Sequence, residues 1–67
     1  MTPLDKAKDS LKENGYCLKT HGAKHDKWYN PDLKCTITLK RHDFDDDDLR
    51  YIRQEIKQNK QRGPRGR

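Results

Sequence analysis

Two runs of apolar residues at helical spacing enclose three short runs in which apolar and polar residues alternate, and few folds accommodate that order in so short a chain. Leu4, Ala7 and Leu11 recur at intervals of three and four, as do Leu49, Ile52 and Ile56 near the other end. Between them Tyr16 to Thr20 reads as a strand, with Tyr16 and Leu18 on one side and Cys17 and Lys19 on the other. His25 to Asn30 and Lys34 to Lys40 follow, the latter alternating Cys35, Ile37 and Leu39 with Thr36, Thr38 and Lys40.

The breaks between these runs are chemically explicit. Thr2-Pro3-Leu4-Asp5 has a capping residue, a proline suited to the first helical turn and an acid placed for a reciprocal cap, so a helix is predicted from about Pro3 to Asn14. Asn14-Gly15 supplies its left-handed stop. His21-Gly22-Ala23 interrupts the first strand, and Asn30-Pro31-Asp32 makes the next turn. The acids from Asp43 to Asp48 precede the last apolar run, where a helix dipole favours them, and a second helix is predicted from about Asp45 to Asn59.

The expected architecture is α+β in the order α-β-β-β-α, a three-stranded antiparallel meander with both helices on one face and the other face open. The predicted core is Leu4, Leu11, Tyr16, Leu18, Trp28, Cys35, Ile37, Leu39, Leu49, Ile52 and Ile56. With Trp28 turned to the helices, His25, Lys27 and Tyr29 alternate onto the open face. Residues 1–60 make the one expected domain, and 61–67, with two glycines and a proline among three arginines, read as a flexible basic tail.

Only 28% of the 67 residues are hydrophobic and 40% are charged, so the core must be small; a chain of this length buries only about 60% of its unfolded surface. The net charge is +5, and its placement is informative. Residues 1–42 carry a net +4 and residues 43–56 a net −4, so the excess lies in Lys57, Lys60, Arg62, Arg65 and Arg67. A basic surface on the first part could attract a polyanion. No apolar run is long enough for a signal peptide or a membrane span, and Cys17 and Cys35 are the only cysteines, so a cytoplasmic protein with reduced thiols is expected.

The segment His21-Gly22-Ala23-Lys24-His25-Asp26-Lys27 gathers a glycine turn, two lysines and two histidines. It has the parts for metal-independent RNA cleavage: an imidazole to take a proton from a ribose 2′-hydroxyl and cations to hold a charged phosphorane. The same residues also suit an ordinary solvated loop. His42, at the end of the third strand, is expected to be structural and to bond the following helix; a second catalytic acid is its alternative role. His21 has no visible partner. Asp43 and Asp45 to Asp48 resemble a metal-binding cluster only superficially, since consecutive residues on a helix point apart, and they are expected to cap the helix. Arg50, Arg53 and Lys57 read as a solvated stripe. Trp28 is assigned to packing, and Tyr29 is kept as a platform for an RNA base.

In order and spacing, Gly22-Ala23-Lys24-His25, Trp28-Tyr29-Asn30-Pro31, Leu39-Lys40-Arg41-His42, and Leu49-Arg50-Tyr51-Ile52 with Ile56-Lys57-Gln58 resemble HicA toxins over about residues 3–59. The resemblance implies a double-stranded-RNA-binding-like fold, cleavage of messenger RNA by His25, and a HicB-like antitoxin that covers the active face. It brings no cofactor or metal. Gly22, Lys24, Lys27, Tyr29 and Arg41 are the expected RNA contacts, with Gly22 letting the backbone approach phosphate. Two positions depart from the pattern: Ala23 stands where the family has serine, and Lys40 where it has proline. An RNA-binding module without catalysis, or a docking module for an acidic partner, would use the same basic face.

Overall fold

The computed structural model describes residues 1–62, the backbone alone at Arg62. The elements are α1 (Pro3–Glu13), β1 (Cys17–His21), β2 (His25–Asn30), β3 (Cys35–Lys40) and α2 (Asp46–Arg62). The strands form one antiparallel sheet in the order β1-β2-β3, so β2 is central. The α+β meander expected from the periodicities is the architecture present.

Each boundary has a local cause. Thr2 Oγ1 accepts from the Asp5 N–H at 3.2 Å and the Asp5 carboxylate accepts from the Thr2 N–H at 3.4 Å, which closes a capping box ahead of α1. After α1 the chain turns at Gly15, whose φ of +88° suits glycine, and the Tyr16 N–H returns to Leu11 O at 2.9 Å. The buried Asn30 side chain secures the far end of β2. Its amide donates to Asn14 O at 3.0 Å, while Oδ1 accepts from the N–H groups of Asp32 and Leu33 at 2.9 and 3.0 Å. The Asn-Pro turn is thereby tied to the end of α1.

Residue exposure alternates along β2 and β3, which places the helices on one side of the sheet. Ala7 and Leu11 of α1, Trp28 of β2, Cys35, Ile37 and Leu39 of β3, and Leu49, Ile52 and Ile56 of α2 form the core with Tyr16. Leu4, Leu33 and Phe44 pack on its margin, so Leu4 is a rim residue. Leu18 is the exception: it is 47% exposed. Because α2 packs on β3 and α1 packs on α2, the helical layer is drawn toward β2 and β3, and all five residues of β1 are exposed. A bulge between Leu18 and Thr20 breaks the regular pairing there and carries β1 on to His21, beyond the expected end at Thr20. Helix α2 also runs further than expected. Gln61 and Arg62, read as the start of a tail, are helical, and 63–67 lie outside the described residues.

A polar cluster lies within the core. The Tyr16 hydroxyl lies 3.3 Å from Cys35 Sγ and accepts from the Asn59 amide at 3.2 Å. Burial, with Cys35 beside it, pushes the phenol up to about 12. The protonated form is therefore favoured by folding: its contribution is whole below about pH 10, the unfolded value, and is lost as pH rises toward about 12. Tyr16→Phe is expected to cost about 1 kcal/mol at neutral pH and to flatten the alkaline fall in stability, read as melting temperature between about pH 9 and about pH 12. Equal alkaline slopes in the two proteins would remove Tyr16 as the cause. No helix among the described residues is long and apolar enough to cross a membrane.

Candidate active site

The alternation that buries Asp26, Trp28 and Asn30 of β2 turns His25, Lys27 and Tyr29 the other way. His25 and Lys27 are exposed and Tyr29 is half-buried. Across the sheet His25 pairs with Lys40, Lys27 with Thr38, and Tyr29 with Thr36. The open face thus has an imidazole, an ammonium and a phenol ring at alternate positions of its central strand. Lys19 of β1 holds its ammonium over the Tyr29 ring, 5.0 Å from its centre, so a base stacking on that face would have to displace the cation.

The turn before His25 is held from two sides. The Gly22 N–H donates to His25 O at 3.0 Å, and a Cβ at Gly22 would stand 2.4 Å from that oxygen. Glycine is thus required by the protein's own backbone, a reason different from the approach to phosphate expected from the sequence. The Arg41 guanidinium donates to Gly22 O, and the Arg41 N–H donates to Lys24 O at 3.1 Å. Expected as an RNA contact, Arg41 has its guanidinium turned to the turn's own carbonyl, with Nε 4.0 Å from Asp26 Oδ1.

Asp26 is a residue that the sequence reading passed over. It is 3% exposed, and its Oδ1 lies 3.1 Å from His21 Nδ1. No hydrogen bond is aligned on this oxygen among the described residues, so proximity of Arg41, and of His21 when protonated, balances its charge. The signal was available: whatever alternation puts Trp28 in the core puts Asp26 there too. His21, left without a partner by the sequence, has one here.

His42 departs from its expected structural role. It is exposed and makes no hydrogen bond to α2 among the described residues. It lines a shallow cavity of about 560 Å³ together with Ala23, Lys24, His25, Lys40 and Asp43. The two imidazoles therefore share one depression, with two lysines on its walls. Asp43 has a φ of 56°, in the left-handed region, and this turns the chain after β3.

The acids that follow behave as caps. Asp45 Oδ1 accepts from the Asp48 N–H at 3.0 Å and Asp48 Oδ2 accepts from the Asp45 N–H at 3.1 Å. Lys40 Nζ lies 3.2 Å from Asp48 Oδ2. The bond from the Asp45 backbone, reinforced by Lys40, holds the Asp48 carboxyl below its usual range. Asp46 and Asp47 are exposed, as are Arg50, Arg53 and Lys57. Cys17 is exposed and Cys35 buried, and both are free.

No family model, no curated protein and no solved structure matches the chain.

Proposed function

We propose that the protein is a metal-independent endoribonuclease, a toxin of the HicA kind that cleaves messenger RNA through His25. The observation that carries this reading is the placement of His25. It stands exposed at the head of the central strand, in one cavity with Lys24, Lys40 and a second imidazole, beside a turn fixed by Gly22 and Arg41. An imidazole and ammonium groups around an accessible depression are what transphosphorylation of RNA requires.

In the proposed reaction His25 removes the proton from a ribose 2′-hydroxyl. The 2′-oxygen attacks the adjacent phosphorus, Lys24 and Lys27 stabilise the charge that develops on its oxygens, and the bond to the 5′-oxygen breaks. The products are a 2′,3′-cyclic phosphate and a 5′-hydroxyl end. Tyr29, once Lys19 is displaced from its ring, supplies a surface for a neighbouring base, because single-stranded RNA is held by stacking and by charge together. Gly22 and Arg41 act one step back, by keeping the turn that aims His25. A HicB-like antitoxin laid over the open face would cover these groups at once. The helix, three strands, helix order is compatible with the double-stranded-RNA-binding-like fold that the resemblance implies.

Because Asp45 and Asp48 spend their carboxylates on the α2 cap, cleavage of a labelled messenger RNA is expected to continue in excess EDTA and to leave 2′,3′-cyclic phosphate ends. Loss of cleavage on chelation with recovery on adding magnesium, or 3′-hydroxyl ends, would replace this mechanism with a metal-dependent one.

A further inference from the structure

We propose that His42 is the general acid of the cleavage step, protonating the leaving 5′-oxygen while His25 deprotonates the 2′-hydroxyl; this rests on the ribonuclease reading of the same cavity. Transphosphorylation moves two protons. As the 2′-oxygen to phosphorus bond forms, its proton passes to the imidazole of His25. As the bond from phosphorus to the 5′-oxygen breaks, the electron pair stays on that oxygen, which needs a proton to leave as an alcohol. His42, as an imidazolium, supplies it. The two histidines then exchange their protonation states, and proton exchange with water resets them.

The cavity and its surroundings favour His42 over its neighbours. It is exposed on the same depression as His25, yet comes from a different strand, just past the end of β3 where Lys40 pairs with His25, so a phosphate seated there meets an imidazole from each of two strands. Its backbone continues into the left-handed Asp43, a conformation that non-glycine residues adopt at a cost and that gathers at functional sites. Of the other cationic groups, Lys40 is engaged by Asp48 at 3.2 Å and Arg41 is turned to Gly22 O behind the turn. Asp43 also lines the cavity, but a carboxylate is a base rather than a proton donor at neutral pH. Lys24 remains, and an ammonium releases a proton less readily than an imidazolium does.

The test uses two RNA substrates that differ at one linkage, one with the natural bridging 5′-oxygen and one with a bridging 5′-sulfur. A thiolate leaves without protonation, so the sulfur substrate needs the base and not the acid. His42→Ala and His42→Gln are expected to slow cleavage of the oxygen substrate by about a hundredfold or more, and of the sulfur substrate by less than about threefold. His25→Ala should lose both, and thermal melts should show all three variants folded. Equal losses on the two substrates in the His42 variants, or no loss on either, overturn the proposal, as does sulfur rescue that appears in Lys24→Met and not in His42→Ala. Failure of the wild-type chain to cleave either substrate overturns the ribonuclease reading itself. That outcome is distinct, because it precedes any effect of His42.

Discussion

His25→Ala is expected to abolish RNA cleavage while the protein stays folded. The imidazole is exposed, and the one backbone group by which residue 25 holds the preceding turn, its carbonyl, survives in alanine. Surface truncations of this kind stay within about 0.5 kcal/mol of neutral, whereas removing a general base costs about a hundred- to ten-thousand-fold in rate. Stability and activity should therefore separate. The measurements are cleavage of an end-labelled RNA, the melting temperature, and growth after induction in cells. If the variant cleaves near the wild-type rate, His25 is not the base, and another group must take the proton from the 2′-hydroxyl.

The second large effect comes from the residue beside it, and it should not separate. In Gly22→Ala the added methyl group meets His25 O at 2.4 Å, a distance that side-chain rotation cannot relieve because no side-chain torsion moves a Cβ and the oxygen belongs to the main chain. The turn must open. Doing so gives up the bond from Gly22 N–H to His25 O and strains the one from Arg41 to Gly22 O, a loss of about 1–3 kcal/mol. In a domain this small that is a large share of the total stability. Cleavage is expected to fall by at least about tenfold even at temperatures where the variant is folded, since His25 is displaced with its carbonyl. A variant that melts and cleaves like the wild type would show that the turn has room to spare.

How much of this was legible in the sequence depends on what each feature rests on. Element order and the sidedness of β2 follow from spacing alone: one tryptophan that had to be buried fixed His25, Lys27 and Tyr29 on the opposite face. Leu18 failed for a reason that spacing does not contain. Alternation says which side of a strand a residue faces but not whether a helix lies above it, and here the helices leave β1 uncovered. The surroundings of the candidate site were less legible still. Arg41 and Asp26 meet at a turn more than a dozen residues from one of them, and an arginine's destination is set by which carbonyl and carboxylate the fold brings near. His42 was misjudged because the turn after β3 is made at Asp43, with no glycine or asparagine to announce it.

The side chain of Asn30 closes the far end of β2 onto both the end of α1 and the turn into β3. Its counterpart at the near end is the single guanidinium of Arg41. The side chains that moor the central strand are therefore unlike: a neutral amide at one end, and at the other a guanidinium that adds to two backbone bonds. Ionic strength reaches the second mooring far more than the first. On the ribonuclease reading, salt would then act twice, by weakening attraction for RNA and by loosening the turn that presents His25, so cleavage should be more salt-sensitive than RNA binding.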